Sequence, residues 1–166
     1  MMIKFEDLKK VNKKLNINYD KIFKNFLNSG SYILGDGVIK FEESFAFYNH
    51  IKYALGCGSG YDALFLALRA LNLPKKSEVI VPSNAYIAAY FAIINSDLIP
   101  VPVEPNLFTY NLDHNKISSK ITKNTTCIMP VHMYGLISDM INIKKIAKKY
   151  NLKIIEDCAQ SLGSKL

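Results

Sequence analysis

The sequence predicts an α/β fold in which a mostly parallel sheet is covered by helices on both faces. From residue 51 onward, short runs of β-branched and apolar residues alternate with longer segments of helical spacing. Strands separated by helices of this length imply right-handed crossovers, which make successive strands parallel. The 166 residues contain no internal repeat, and this length suits one domain with a core of ordinary size.

The first 50 residues are expected to form a helical lead-in to this domain. Apolar residues recur at helical spacing over 19–27 and 38–48, and Gly30 ends the first of these helices. Residues 51–166 are expected to form part of a larger α/β domain, with strands at 51–55, 78–81, 98–103, 126–131 and 153–157. The predicted helices between these strands cover 62–71, 85–95, 114–121 and 140–150. The carboxyl ends of the strands are therefore the expected place for a ligand.

Charge and cysteine usage limit the classes of function. The net charge of +7 comes mostly from lysines, which cluster within 4–24 and 144–153 in the pattern of solvated helix faces. A nucleic-acid groove would interleave arginines with aromatic residues, so no nucleic-acid partner is expected. Three widely spaced cysteines indicate neither a disulfide framework nor a metal site. We expect a cytoplasmic protein without a membrane partner, because neither a signal peptide nor a membrane-spanning stretch is recognisable.

A glycine-rich segment, Gly-Cys-Gly-Ser-Gly, covers residues 56–60 and opens the first crossover helix. Ser59 and Asp62 have the spacing of a capping box, so the segment could simply start that helix. Three glycines in five residues exceed what a cap needs, and they favour phosphate binding at the helix N-terminus. Tyr61 stands where the dinucleotide fingerprint requires its third glycine, and no Gly-Lys-Ser/Thr sequence of a P-loop is present. A phosphate that is not part of a dinucleotide is therefore the favoured ligand.

Aromatic, imidazole, carboxylate and amide side chains mark the ends of the later strands. Tyr86 follows the second strand, His132 and Tyr134 follow the fourth, and Asp157 and Gln160 follow the last. Each has a structural alternative, such as core packing of a ring or a carboxylate that caps a helix. A phosphate cradle, a stacking ring, a carboxylate for a ring nitrogen and an amide for a ring hydroxyl together fit one molecule, pyridoxal phosphate.

Six motifs occur in the order that is typical of one enzyme family. They begin at Phe5, Ser29, Gly58, Val79, Pro130 and Ile155, and the last reads Ile-Glu-Asp-Cys-Ala-Gln-Ser-Leu-Gly. With these motifs the chain resembles the DegT/DnrJ/EryC1/StrS family of pyridoxal-phosphate-dependent sugar aminotransferases. The resemblance implies an incomplete large domain of the aspartate-aminotransferase-like fold, fold type I. Within the family it is similar to the enzymes that aminate C3 of a dTDP-3-keto-6-deoxyhexose, a reaction of deoxyamino-sugar and surface polysaccharide synthesis such as that of lipopolysaccharide.

The resemblance also implies a role for each candidate residue. The cofactor-binding residues would be Ser59, Gly60, Tyr61, Tyr86, Asp157 and Gln160. His132 and Tyr134 are the candidates for contacts with the nucleotide-sugar substrate. Glutamate would be the amino donor, and the family works as a homodimer with its active site at the subunit interface.

The catalytic lysine of the family has no counterpart in this sequence. In the family, the lysine that forms the Schiff base lies downstream of the Asp-x-x-Gln segment, and Lys165 follows Gln160 too closely to be that residue. We therefore expect a truncated chain that holds most of the cofactor cradle and cannot complete a turnover alone. The alternatives are an inactive fragment or interaction remnant, a dinucleotide-binding oxidoreductase domain, and a sugar dehydratase of the same family, in which histidine replaces the lysine.

Overall fold

The computed structural model describes residues 7–15 and 17–166, which divide into two compact units with the boundary between Gly56 and Cys57. The first family-like motif begins at Phe5 and Glu6, which lie outside the described residues. The first unit is helical, with α1 (Leu8–Lys14), α2 (Tyr19–Ser29) and α3 (Asp36–Tyr48). The helices predicted at 19–27 and 38–48 are thus confirmed as α2 and α3.

Side-chain caps explain where the first two helices begin. The side chains of Asp7 and Asn18 accept hydrogen bonds from the backbone N–H groups three residues later. Gly30 ends α2 in the left-handed conformation, with φ of 63°, which favours glycine. Helix α1 was not predicted, because lysines and asparagine dominate its seven residues and only Leu8 and Val11 within it are apolar.

The strand predicted at 51–55 is wrong. This segment forms no strand, and Ile51, Tyr53 and Leu55 are exposed. Its composition suits a strand, but a strand also needs a neighbour to pair its backbone groups, and none of the described residues pairs with it.

Helices and strands alternate along the second unit. The elements are α4 (Gly60–Ala70), β1 (Glu78–Pro82), α5 (Ile87–Asn95), β2 (Ile99–Val103), α6 (His114–Ile117), β3 (Thr125–Ile128), α7 (Met140–Tyr150) and β4 (Lys153–Ile154). The sheet order is β2-β1-β3-β4, and all three pairings are parallel. The predicted parallel α/β architecture is confirmed, and four of its five predicted strands are present.

Helices cover both faces of the sheet because successive strand residues point to opposite sides. Val79 and Val81 of β1 pack with residues of α4 and α5 in one buried cluster. Ile80 packs in a second cluster with residues of α6 and α7. All three side chains are fully buried, so each face of β1 contributes to a separate core.

Several elements are shorter than predicted. Strands β3 and β4 end at Ile128 and Ile154, and beyond them a single parallel bridge joins Val131 to Asp157. Helix α6 covers only four residues before it tightens into a 3-10 turn at Ser118–Lys120. Within the described part of the chain, no helix has both the length and the apolar character needed to cross a membrane.

Candidate active site

The start of α4 carries backbone donors that nothing in the described residues uses. Ser59 is the N-cap, and its hydroxyl and carbonyl oxygens accept hydrogen bonds from the N–H groups of Asp62 and Ala63. The N–H groups of Gly60 and Tyr61 make no hydrogen bond within residues 7–15 and 17–166. Unpaired N–H groups and the helix dipole make such an end a suitable place for an anion.

The Ser59 hydroxyl is occupied at the same helix end. It accepts from the Asp62 N–H at 3.1 Å and donates to the Asp62 carboxylate at 2.8 Å. Asp62 already places a negative charge in this turn. The free N–H groups, rather than the local charge, therefore favour an anion here.

The Tyr61 side chain anchors this first turn of α4 to α5. Its hydroxyl oxygen accepts a hydrogen bond of 2.7 Å from the Asn95 amide, and its ring stacks on Phe65 with 6.2 Å between centroids. These contacts hold the side chain against α5 and leave the backbone N–H of Tyr61 available to a ligand.

Tyr86 stands between β1 and α5 with an exposed ring. It is the N-cap residue of α5 in an extended conformation, and 77% of its surface is accessible. Its carbonyl oxygen accepts from the Ala89 N–H at 2.9 Å. The backbone of Tyr86 is therefore fixed while its ring remains free for a flat ligand.

Asp157 lies just beyond the end of β4, where a parallel bridge joins it to Val131 beyond the end of β3. Its backbone N–H donates to the Pro130 carbonyl at 2.9 Å, and its carbonyl accepts from the His132 N–H at 3.1 Å. Its Oδ1 accepts from the Ala159 N–H at 3.1 Å, whereas Oδ2 has no hydrogen-bond partner among the described residues. One carboxylate oxygen is therefore available at the carboxyl edge of the sheet.

Gln160 and Tyr134 are joined by a hydrogen bond. The Tyr134 N–H donates to Oε1 of Gln160 at 2.8 Å, and the Tyr134 ring meets Tyr110 edge-on with 6.5 Å between centroids. The structure thus brings Tyr134 and His132 next to Gln160 and Asp157. No hydrogen bond in the described part of the chain links this group to the start of α4 or to Tyr86.

His132 is buried, and both of its ring nitrogens are engaged. Nδ1 lies 3.2 Å from the Ser138 backbone N–H, which can only donate, so Nδ1 must accept. Nε2 then carries the proton and donates to the Glu156 carboxylate at 3.0 Å. With 2% of its surface exposed, the ring offers no free nitrogen, which weighs against the substrate contact predicted for His132.

The hydrogen bonds of His132 and Ser138 also weigh against two other functions for this cluster, a hydrolase triad and a metal site. Ser138, His132 and Glu156 form a line that resembles a hydrolase triad, but Ser138 is fully buried and its hydroxyl donates to the Val131 carbonyl. The Cys158 thiol completes a possible metal set with His132 and Glu156, with all ligand atoms within 4.8 Å. His132 could ligate an ion there only by giving up the hydrogen bond from its Nε2 to Glu156.

Two residues of this region were not anticipated from the sequence. Asn111 is buried, accepts from the Met133 N–H at 2.8 Å and donates to the Leu136 carbonyl at 2.9 Å. Ser138 fixes the tautomer of His132. Neither residue lies in a recognisable motif, and only the folding of distant segments brings them to the site.

Comparison with known proteins identifies the family. The model of the DegT/DnrJ/EryC1/StrS aminotransferase family matches residues 15–166. The dTDP-3-amino-3,6-dideoxy-alpha-D-galactopyranose transaminase of Aneurinibacillus thermoaerophilus is 49% identical over 163 residues, which are 98% of this chain and 45% of that protein. The dTDP-3-amino-3,4,6-trideoxy-alpha-D-glucose transaminase of Streptomyces venezuelae is 40% identical over 98% of this chain and 43% of its own length.

Solved structures agree with this relationship. The crystal structure of S. venezuelae DesV in complex with a ketimine intermediate superposes with a TM-score of 0.92 at 40% identity, over 97% of this chain and 43% of that one. A GDP-4-keto-6-deoxymannose-3-dehydratase with a trapped PLP-glutamate geminal diamine gives 0.83 at 27% identity, over 88% of this chain and 39% of that one. The chain spans less than half the length of the curated relatives cited above. It belongs to the DegT/DnrJ/EryC1/StrS aminotransferase family.

Proposed function

We propose that this chain forms the cofactor cradle of an enzyme that transfers an amino group from glutamate to a keto sugar nucleotide such as a dTDP-3-keto-6-deoxyhexose. The observation that carries the proposal is the pair of unused groups beside β3 and β4, the Oδ2 atom of Asp157 and the NH₂ group of Gln160. In pyridoxal phosphate, the carboxylate oxygen would pair with the protonated ring nitrogen, and the amide NH₂ group would donate to the phenolate oxygen. The activity of the whole protein belongs to the proposal, because the chain spans under half of its relatives.

The chain's own residues fit pyridoxal phosphate at four points. The free N–H groups of Gly60 and Tyr61 would hold the phosphate, and the Tyr86 ring would lie against the pyridine ring. Asp157 would keep the ring nitrogen protonated, because a nearby negative charge favours the protonated form. The Gln160 amide would donate to the phenolic oxygen. The Ser59 hydroxyl would reach the phosphate only by leaving Asp62.

When bound, pyridoxal phosphate supplies an electron sink for proton removal from the amino donor. Within the chain, His132 acts as a positioning residue in this proposal, because its backbone N–H and its ring hold Asp157 and Glu156. Tyr134, with 80% of its surface exposed, remains the candidate for a substrate contact. We also propose that the 166 residues do not complete a turnover alone, because none of their lysines occupies the family's Schiff-base position.

We further propose a homodimer, a cytoplasmic location and amination rather than dehydration. A homodimer is supported by exposed apolar side chains that the cofactor site does not use, such as Leu107 and Phe108 with 80% and 93% of their surface accessible. A cytoplasmic location in a pathway to surface amino sugars is supported by the three free cysteines and by the named relatives. Amination is favoured over dehydration, because the transaminases cited above are 40–49% identical and the dehydratase is 27% identical.

The test is a titration of the protein, as expressed from its gene, with pyridoxal phosphate followed by absorbance. We expect Asp157→Asn to weaken binding by about 10- to 150-fold, since a hydrogen bond to a charged group contributes roughly 1.5–3 kcal/mol. The matched control is Asp139→Asn, which removes a carboxylate that caps α7 in the same unit. Equal affinity in Asp157→Asn and the wild type would refute the assigned role.

Borohydride reduction separately tests the proposal that none of these 166 residues is the lysine that forms the Schiff base. We expect reduction of the 166-residue chain with pyridoxal phosphate to leave no stable adduct on one specific lysine. A single modified lysine within these residues, together with transaminase turnover, would contradict this part of the proposal.

A further inference from the structure

A turn over residues 133–136 is held at both ends by one buried side chain. Asn111 has 3% of its surface exposed, and its Oδ1 accepts from the Met133 N–H while its Nδ2 donates to the Leu136 carbonyl. The Leu136 N–H closes the turn by donating to the Met133 carbonyl at 2.9 Å. Both ends of the turn are therefore fixed by a residue that lies over 20 positions earlier in the chain.

The clamped turn places a strained residue at its centre. Tyr134 has φ of 56° and ψ of 27°, the left-handed region, and Gly135 follows with φ of 83°. A residue with a side chain keeps this conformation only where its surroundings impose it. The clamp by Asn111 supplies that constraint, and it aims the Tyr134 N–H at Gln160.

The Tyr134 N–H decides which way the Gln160 amide faces. Because a backbone N–H can only donate, the atom that lies 2.8 Å from it must be the amide oxygen. The NH₂ group of Gln160 then points away from the turn, and it has no acceptor within residues 7–15 and 17–166. If the amide were reversed, two donors would face each other.

We propose that Asn111 is a positioning residue that, through the Tyr134 N–H, presents the Gln160 amide as a donor to the phenolic oxygen of pyridoxal phosphate. This inference rests on the proposed function for the identity of the acceptor. The clamp itself, from Asn111 to Tyr134 to Gln160, is independent of the cofactor. The two parts can therefore be tested separately.

The clamp is tested by hydrogen exchange at the Tyr134 amide without cofactor. We expect Asn111→Ala to speed this exchange about tenfold, and Gln160→Ala to do the same by removing the acceptor. The control Asn142→Ala removes a hydrogen bond to Asp139 at the start of α7 and should leave Tyr134 exchange unchanged. Unchanged Tyr134 exchange in Asn111→Ala would overturn the inference. Should that variant fail to fold, Asn111→Asp keeps the inference testable, because it retains Oδ1 toward the Met133 N–H and loses the donor to the Leu136 carbonyl.

The orientation of the Gln160 amide is tested by following the absorbance of bound pyridoxal phosphate as the pH is changed. A donor to the phenolic oxygen stabilises its ionised form and lowers the midpoint of the transition. We expect Asn111→Ala to raise this midpoint by about one pH unit, which is a tenfold change. Gln160→Glu should raise the midpoint further, because the glutamate keeps an oxygen toward the Tyr134 N–H but has a carboxylate oxygen in place of the NH₂ donor.

Each outcome of this titration is decisive. A midpoint that stays unchanged in Asn111→Ala, with faster Tyr134 exchange, would limit Asn111 to holding the turn and overturn its role toward the cofactor. Absence of pyridoxal phosphate binding in the wild type would refute the proposed function and this orientation together. Hydrogen exchange at the Tyr134 amide would still show whether Asn111 holds the turn.

Discussion

Gly60→Pro should separate phosphate binding from folding at the start of α4. Gly60 is the first residue of the helix, where proline is well tolerated because no N–H is needed there. Ser59 before it is extended, with φ of −160° and ψ of 167°, which suits a residue that precedes proline. A Cβ added at position 60 would meet no atom within 4 Å. We therefore expect the free energy of unfolding to stay equal or rise by about 0.4–1 kcal/mol.

The same substitution removes one of the two free N–H donors. Loss of a hydrogen bond to a charged phosphate should weaken pyridoxal phosphate binding by about 10- to 150-fold, from roughly 1.5–3 kcal/mol. The assay pairs an absorbance titration with thermal unfolding of Gly60→Pro and of Gly60→Ala, which gains a side chain but keeps the N–H. If Gly60→Pro binds pyridoxal phosphate as tightly as Gly60→Ala, the phosphate is not held by this helix end.

The three cysteines should differ in reactivity toward a maleimide. Burial raises the pKa of the Cys127 thiol to about 12, so Cys127 should react only on unfolding, whereas exposed Cys57 and Cys158 react in the folded protein. Cys158 should react more slowly than Cys57, because burial and the Glu156 charge raise the pKa of its thiol. Mass spectrometry checks this, and labelling of native Cys127 at the rate of Cys57 would contradict it. Asp139→Ala should cost about 1 kcal/mol, the usual loss for a helix N-cap. Hydrogen bonds from the backbone and side chain three residues later hold the pKa of Asp139 below its usual value. Its contribution is therefore present above the unfolded-state pKa and is lost as pH falls through the lower folded-state pKa, so urea denaturation at a series of pH values should show the variant's deficit shrinking in acid.

The parallel sheet could be predicted because its signal is local. Apolar runs of strand length and helices of regular spacing place β1, β2 and α7 within a residue or two of the observed bounds. The segment 51–55 has the same composition but lacks a partner among the described residues, and no local pattern reports a missing partner. Strand formation depends on pairing, which composition alone does not determine.

Some residues of the candidate site could likewise be predicted from the sequence, and others could not. Tyr134, Asp157 and Gln160 follow predicted strands, so parallel topology was sufficient to place them at one edge. Asn111 lies in a loop more than 20 residues from the turn that it clamps, and no spacing rule connects the two. The burial of His132 was equally hidden, because it depends on Ser138 and Glu156 meeting the ring from two different segments.

The central claim is that this chain cradles pyridoxal phosphate, and a crystal structure of the protein with that cofactor bound tests it most directly. The account predicts the phosphate within hydrogen-bond distance of the Gly60 and Tyr61 N–H groups. It also predicts the ring nitrogen against Asp157 and the phenolic oxygen against the Gln160 NH₂ group. A cofactor whose phosphate lies away from the start of α4, or whose ring nitrogen faces another residue, would contradict it.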